Sequence, residues 1–426
     1  MPFHKSARDR VTILFGGVTR RQERLLCATV SRLGYKVACF PTPDKEDFQA
    51  GREFGNAGMC SPAHFIAGAL VRHLQRLRDE HGLTPDYIVR HYAYANAGAC
   101  GPCRFGMYES ECRLVLRNAG FGDLPVLSFQ QKDGLAHADG EAGLNFDEQF
   151  FMAFLSAILI CDALNELYHQ LKPYELEKGA TDQVFDKVMD YLCGYLAQAP
   201  PPPRAARPLA RLTHWLIPDT DRGQLETILE NVLTGFYVKG LKRCAEIINE
   251  ELEVDYSRPA PLVKVIGEFW AQTTEGDGNF RMFEFLEKEG AEVAVEPIMT
   301  WMSYLVDVAR CRAVDRRGAT ADPLPPYAVL SHIRNAAGYG LSRLRIALID
   351  YVFHRQYNRI RKALGGVSRP QTRQATLRRL AAPYYDHRLM GGEGHLEIGK
   401  AIYFGTGHLC HMLVGLKPFG CLPSTQ

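Results

Sequence analysis

The sequence predicts an α/β protein in which two Rossmann-like units face each other across a cleft, with helical insertions. Short apolar runs of strand length alternate with segments of helical periodicity, once before about residue 145 and again after about residue 260. Gly or Pro closes several of these runs, as expected at the ends of strands. The chain of 426 residues is long enough for two or three domains, and the predicted domains are residues 1–146, 147–260 and 261–426.

The N-terminal domain is predicted to alternate strands and helices at a pitch that favours a parallel doubly wound sheet. The first apolar run is closed by Gly16 and Gly17, and the helix after it ends at Gly34, a residue type that commonly stops helices. The predicted strands are Val11–Phe15, Lys36–Phe40, Tyr87–Tyr92 and Val126–Phe129, and the predicted helices are Arg20–Leu33, Ala63–His81 and Arg104–Asn118.

The middle region is predicted to be helical, and a second β-α-β unit follows it. Helical segments cover 147–198 and 221–252, with a break at 172–174 and a stiff polyproline run at 200–203 between them. In the second unit the predicted strands are Val263–Phe269, Ala291–Val295 and Val414–Leu416, the predicted helices are Phe280–Glu289 and Tyr327–Leu364, and a polar loop covers Thr273–Asn279. That loop lies at the carboxyl end of its strand, where open α/β sheets bind ligands.

Composition and charge exclude several classes of protein. Hydrophobic content of 46% and charged content of 23% are ordinary for a globular protein, and a formal net charge of +2 indicates no nucleic-acid partner. The N-terminus shows no apolar signal core, and the most apolar stretch, 150–164, is too short to span a membrane. We therefore expect a cytoplasmic protein whose 12 cysteines are mostly reduced or metal-bound.

Four cysteines lie in predicted loops that contain Gly or Pro: Cys60, Cys100, Cys103 and Cys421. Cys100 and Cys103 form a C-x-x-C pair before a predicted helix, whose N-terminus favours thiolates. A lowered thiol pKa serves redox chemistry and metal binding equally, so this pair alone does not decide between them. Cys410, beside two histidines, is ambiguous. The other cysteines lie in helix-like or strand-like runs and are interpreted as small packing residues: Cys27, Cys39, Cys112, Cys161, Cys193, Cys244 and Cys311.

Several motifs in order along the chain resemble a known family, the iron–sulfur component of the 2-hydroxyacyl-CoA dehydratase and benzoyl-CoA reductase superfamily. The closest similarity is to the dehydratase-like part of CoA-substrate-specific enzyme activase proteins. The motifs are Arg52-Glu53, Cys60-Ser61-Pro62-Ala63, Gly101-Pro102-Cys103-Arg104-Phe105-Gly106, Lys172-Pro173-Tyr174-Glu175, Gly267-Glu268-Phe269-Trp270, Gly391-Gly392-Glu393-Gly394 and Pro418-Phe419-Gly420-Cys421-Leu422-Pro423.

The resemblance implies flavodoxin-like α/β domains with a [4Fe–4S] cluster between them. Cys60, Cys103 and Cys421 match its three ligand positions, and Cys100 is extra, a neighbour of the cluster or a fourth thiolate. In the family an ATP-driven activase passes one low-potential electron to the cluster, which forms a ketyl radical on an acyl-CoA thioester. The implied partners are a separate ATP-hydrolysing activase, a homologous dehydratase subunit and an acyl-CoA-type small molecule, with no nucleic acid and no membrane.

The chain departs from the family pattern in two places. Nucleotide-binding motifs of the activase are absent, so ATP hydrolysis is expected on a partner. The sequence also ends five residues after Cys421, where relatives continue with further sheet, so the last domain is expected to be short or truncated.

Residue chemistry favours a cluster over zinc, because structural zinc sites usually use two close knuckles and this chain has one C-x-x-C. Arg104 is a candidate to offset the negative charge of thiolates, or else a surface ion-pair residue. Glu393, between glycines, is a candidate base near the cluster, or else a carboxylate at a helix N-terminus. Two functions remain open: a component of an (R)-2-hydroxyacyl-CoA dehydratase-like lyase or acyl-CoA reductase, and a non-catalytic electron-transfer or scaffold protein.

Overall fold

The computed structural model describes residues 10–98, 103–130, 148–198, 236–317, 329–366, 368–389 and 392–425. Within these ranges the fold is α/β, with two small parallel sheets and many helices. The predicted features that lie outside them include Cys100, the domain boundary at residue 146, the polyproline run and the starts of the helices predicted from residues 147, 221 and 327.

The first sheet is built from β1 (Thr12–Phe15), β2 (Lys36–Cys39), β3 (Tyr92–Gly98) and β4 (Val126–Gln130). All its pairings are parallel, and the strand order is β2-β1-β3-β4. The chain therefore starts in the middle of this sheet, adds β2 on one side and then crosses to add β3 on the other. In such sheets the connections leave the carboxyl ends of neighbouring strands in opposite directions, which opens a crevice between β1 and β3.

The second sheet repeats this arrangement with β5 (Leu262–Gly267), β6 (Glu292–Ala294) and β7 (Met412–Leu416). Its order is β6-β5-β7, and both pairings are parallel. The first strand is again central, so a second crevice lies between the carboxyl ends of β5 and β7.

Helices pack against both sheets and form a layer of their own. In the first half they are α1 (Arg20–Ser31), α2 (Lys45–Phe54), α3 (Ser61–Asp79), α4 (Pro85–His91) and α5 (Tyr108–Asn118), with a 3₁₀ turn at Arg104–Met107. The middle layer has α6 (Glu148–Leu171), a 3₁₀ break at Lys172–Tyr174, α7 (Ala180–Ala197) and α8 (Phe236–Glu251). The second half has α9 (Phe269–Thr273), a 3₁₀ turn at Gly276–Asn279, α10 (Met282–Lys288), α11 (Ile298–Asp315), α12 (Val329–Ala363), α13 (Gln374–Ala381), α14 (Gly394–Thr406) and α15 (Leu422–Thr425).

An extended apolar core joins α1 to the middle helical layer. It contains Leu25 and Leu26 of α1 together with buried side chains from α6, α7, α8, α11 and α12. Burial of aliphatic and aromatic side chains on this scale is the main force that holds the layer to the first sheet. No helix within the described ranges has the length and apolar character needed to cross a membrane.

The strand predicted at Tyr87–Tyr92 is wrong, because α4 covers residues 85–91 and the strand begins at Tyr92. Thr84 accepts a hydrogen bond from the backbone N–H of Tyr87 at 3.2 Å, and Pro85 stands in the first turn of the helix. A Thr cap followed by Pro is a helix start, and it outweighs the β propensity of the residues that follow. The strand lies further along the chain and ends at Gly98, five residues before Cys103.

The helix predicted at Phe280–Glu289 begins later, at Met282, because Phe280 and Arg281 adopt left-handed backbone angles, with φ of 61° and 52°. The strand predicted to reach Phe269 ends at Gly267, since Glu268 caps α9 by accepting from the N–H of Ala271 at 2.9 Å. Helix α2, whose capping box joins Asp44 and Asp47, was not predicted from the sequence.

The carboxyl ends of the two central strands lie against each other. The indole Nε1 of Trp270, just after β5, donates to the carbonyl of Gly17, just after β1. The Trp270 ring also packs on Phe65 of α3, with ring centroids 5.4 Å apart. The N–H of Lys45 donates to Asp277 Oδ2 at 3.0 Å, which adds a third link between the halves. The segments that follow β1 and β5 are therefore in direct contact.

Candidate functional site

Cys60, Cys103 and Cys421, called here the cysteine site, each stand directly before a helical segment. Cys60 is the N-cap of α3, Cys103 is the N-cap of the 3₁₀ turn at residues 104–107, and Cys421 precedes α15. Two of them follow the crossing strands of the two sheets: Cys103 comes after β3 and Cys421 after β7. Cys103 and Cys421 therefore follow the carboxyl ends of strands, the edge at which open α/β sheets bind ligands.

Backbone contacts bring the loops of Cys60 and Cys421 together, although they are far apart in sequence. The N–H of Ser61 donates to the carbonyl of Phe419 at 3.0 Å. A Cβ atom placed on Gly420 would lie 3.2 Å from both the Cα of Cys60 and the carbonyl oxygen of Met59. A residue without a side chain is therefore needed at 420 for the two loops to approach this closely.

The third loop joins through Gly392, just before α14. A Cβ atom on Gly392 would overlap the ring of Pro423 and would lie 3.7 Å from the Cβ of Cys103. Gly392 thus fills the narrow space between the Cys103 loop and the segment that follows Cys421. The three cysteine loops, which come from both halves of the chain, meet in one region.

Arg104 connects the same three loops. It follows Cys103 directly, and its guanidinium donates to the carbonyl of Gly58, two residues before Cys60. One of its terminal nitrogens lies 3.3 Å from the position that a Cβ on Gly420 would take. The side chain therefore places a positive charge beside the cysteine site.

Without a bound metal, the three cysteines are thiols at neutral pH. Burial raises the pKa of Cys60, and the Tyr108 hydroxyl, 3.4 Å from its sulfur, opposes this only in part. Burial also raises the pKa of Cys103 to about 12 and that of Cys421 to about 11. The expectation that helix N-termini lower the pKa of Cys103 is wrong, because the helical turn after it has four residues and desolvation outweighs its dipole.

Three carboxyl groups lie near the thiols: Glu393 and Glu397, which are buried, and Glu268, which is half-buried. Burial raises the pKa of Glu268 to about 7. For Glu393, burial and then the neighbouring Glu268 and Glu397 raise the pKa to about 8. The site can therefore hold protons on carboxyl groups near neutral pH, which a general acid requires.

A short hydrogen-bonded chain links one thiol to one of these carboxylates. The sulfur of Cys421 donates to Ser424 Oγ at 3.4 Å, and that hydroxyl donates to Glu397 Oε1 at 2.5 Å. Lys417 Nζ lies 3.5 Å from the other oxygen of Glu397. Loss of the Cys421 proton therefore has a path towards a carboxylate that a lysine stabilises.

The structure brings together five of the six residues singled out in the sequence: Cys60, Cys103, Cys421, Arg104 and Glu393; the sixth, Cys100, lies outside the described ranges. Sequence reasoning missed Glu268 and Glu397 as site residues. The sequence-based prediction placed Glu268 inside the strand 263–269. Had the end of that strand been assigned to Gly267, Glu268 would have been identified as a residue at the edge of the sheet. Glu397 stands four residues after Glu393, the spacing that puts two side chains on one face of a helix.

Among the residues that the structure describes, no group of three or more His, Cys, Asp or Glu side chains is arranged to hold a single metal ion. A cubane cluster is larger than one ion and spaces its ligand sulfurs roughly 6–7 Å apart. The donor set of three thiols on three separate loops, with glycine at the points of closest approach, fits such a group.

No protein-family model, curated protein or solved structure matches this sequence.

Proposed function

We propose that this chain is an iron–sulfur protein of the 2-hydroxyacyl-CoA dehydratase-like type, which binds one [4Fe–4S] cluster through Cys60, Cys103 and Cys421. It acts in low-potential electron transfer to an acyl-CoA-type substrate, with a separate ATP-hydrolysing activase as electron donor. The observation that carries the proposal is the contact among the segments of three cysteines far apart in sequence, two of which follow strands of different parallel sheets.

The strand order of the two sheets also supports this proposal. The first sheet has the order 2-1-3-4 and the second, numbered by itself, has the order 2-1-3. Both agree with the flavodoxin-like order, in which ligands bind at the crevice beside the first strand. We infer two flavodoxin-like units that share one site, and a homologous dehydratase subunit is the partner that this arrangement suggests.

The residues of the site have separate tasks in this proposal. Soft thiolates select iron–sulfur clusters or zinc over hard cations, and a bound cluster would supply one low-potential electron at a time. Binding removes the protons of the three thiols, so assembly is favoured as the pH rises. Arg104 offsets the resulting negative charge, and Glu393 holds a proton on its carboxyl group beside the site, as a catalytic acid or base would.

Anaerobic purification followed by iron and sulfide analysis tests the cluster. We expect about four iron and four sulfide per chain, as the proposed cluster requires. Replacing Cys60, Cys103 or Cys421 with Ala should abolish bound iron, whereas Cys410→Ala, a half-buried thiol of the second half, should retain it. If Cys60→Ala and Cys421→Ala keep full iron, the shared cluster is refuted, and a redox pair of Cys100 and Cys103 explains the C-x-x-C.

A second experiment tests the role of the cluster. The reduced protein is mixed with acyl-CoA thioesters and followed by electron paramagnetic resonance. A substrate-dependent radical signal is expected for a dehydratase or reductase component. A cluster that is reduced and reoxidised but ignores every thioester would indicate the alternative, a non-catalytic electron-transfer or scaffold protein that partners an activase.

A further inference from the structure

Two cysteines that the sequence analysis interpreted as packing residues are in direct contact. Cys27 lies in the middle of α1, and Cys39 is the last residue of β2, the strand that follows α1. Their sulfur atoms are 2.8 Å apart. Both residues are partly exposed.

We propose that Cys27 and Cys39 form an oxidisable dithiol, a modification site that becomes an intramolecular disulfide by exchange with a low-molecular-weight disulfide of the glutathione class. A disulfide bond is about 2.05 Å long, so the two sulfurs need to approach by only about 0.8 Å. The site is separate from the cysteine site, and the proposal does not depend on iron binding.

The surroundings of the pair assign a different task to each thiol. The hydrogen bond from Cys39 lowers the pKa of Cys27 below its usual value despite burial, which favours the Cys27 thiolate. The same hydrogen bond, and then burial, raise the pKa of Cys39. The sulfur of Cys39 also lies 3.4 Å from the carbonyl oxygen of Glu23, which is the alternative acceptor for its single proton. Cys27 is therefore the attacking thiol and Cys39 the resolving thiol.

The disulfide exchange proceeds in two steps. The Cys27 thiolate attacks one sulfur of the small disulfide, forms a mixed disulfide and releases one small thiolate. Cys39 then attacks the sulfur of Cys27, its proton leaves to solvent or to the departing group, and the second small thiolate is released. The protein dithiol loses two protons and two electrons, and the small disulfide gains them to become two thiols.

The other thiols near α1 lack this arrangement. The sulfur of Cys193 contacts the carbonyl of Arg24 at 3.7 Å, and that of Cys161 contacts the carbonyl of Arg21 at 3.3 Å. Burial raises the pKa of both, which leaves them as protonated, poorly nucleophilic thiols. Only the pair of Cys27 and Cys39 shows a direct sulfur–sulfur contact among the described residues.

Peptide mapping tests the proposal on the full chain. The protein is purified anaerobically, freed of reductant, incubated with oxidised glutathione at mildly alkaline pH and quenched in acid with N-ethylmaleimide. Trypsin should release a linked pair, Leu25–Arg32 joined to Val37–Lys45, with a mass two hydrogens below the sum of the free peptides. Dithiothreitol should return both peptides to the free form.

Variants separate the two steps. In Cys39→Ser the linked pair should be lost and glutathione should accumulate on Cys27; in Cys27→Ser the linked pair should be lost without this accumulation. Cys410→Ser, a control thiol of similar exposure, should leave the linked pair unchanged. The proposal is overturned if glutathione modifies Cys410 while Cys27 and Cys39 are recovered only as maleimide adducts, or if Cys27 is found linked to Cys193 instead.

Discussion

Replacing Gly420 with Ala should destabilise the fold in two ways, by straining the backbone and by overpacking the contact between the loops of Cys60 and Cys421. Gly420 has φ of +78°, and a side chain in this left-handed region costs about 1–2 kcal/mol. The new methyl would also lie 3.2 Å from the Cα of Cys60 and from the Met59 carbonyl oxygen, which are backbone atoms that cannot rotate away. Overpacking of this kind costs about 1–3 kcal/mol more. We therefore expect the free energy of unfolding to fall by about 2–5 kcal/mol.

The matched control is Gly34→Ala. Gly34 has a similar φ of +81°, but nothing lies within 4 Å of its Cβ position. This variant should lose only the backbone cost of about 1–2 kcal/mol. Both losses are measured by urea denaturation followed by circular dichroism, together with the iron content after anaerobic purification, which should fall only in Gly420→Ala. Equal losses of stability in the two variants would show that the loops of Cys60 and Cys421 are not in close contact.

Three further predictions concern buried polar contacts outside the cysteine site. Burial raises the pKa of Glu23 from 4.5 to about 8, so stability should fall as the pH rises from about 4.5 through about 8, by at most about 1.4 kcal/mol per pH unit. Glu23→Gln keeps the acceptor of the Gly17 N–H and should remove this slope in urea midpoints measured against pH; an unchanged slope would contradict the assignment. Burial alone would raise the pKa of Glu296, but Lys264 and Lys400 lower it to about 2. Glu296→Gln should therefore cost about 3–5 kcal/mol in chemical denaturation, because Lys264 remains buried without its counter-charge, and a cost below about 1 kcal/mol would refute this. Trp270→Phe should cost about 1–3 kcal/mol in the same assay, since the Gly17 carbonyl loses its indole donor; no measurable loss would show that solvent replaces it.

Local patterns in the sequence were enough to predict the α/β class and most strands of both sheets. Alternation of apolar runs and helical periodicity reports which face of an element is buried, and this depends on residues close in the chain. The prediction failed at Tyr87–His91, where a Thr cap and Pro85 start a helix in residues with high β propensity. The Thr84 cap favours a helix through one turn, whereas the β propensity of residues 87–91 favours a strand at each position. The sequence alone did not show which of these two preferences would be stronger.

The sequence also indicated which cysteines lie in loops at the ends of elements, through the Gly and Pro beside Cys60, Cys103 and Cys421. Their resemblance to a family suggested that the loops share a ligand. Iron binding and the acyl-CoA substrate stay predictions until the experiments above are done. Periodicity contains no information on whether such loops meet.

Only the tertiary structure decided which groups face one another. Ser61 and Phe419 are hydrogen-bonded across 358 positions of sequence, and the sulfurs of Cys27 and Cys39 touch because α1 packs beside β2. Glu268 and Glu397 joined the site for the same reason, and the raised pKa of Cys103 reflects its burial. Desolvation and contact depend on every segment packed around a group, whereas strand and helix patterns depend on near neighbours in the chain, so the sequence could predict the elements but not their meeting.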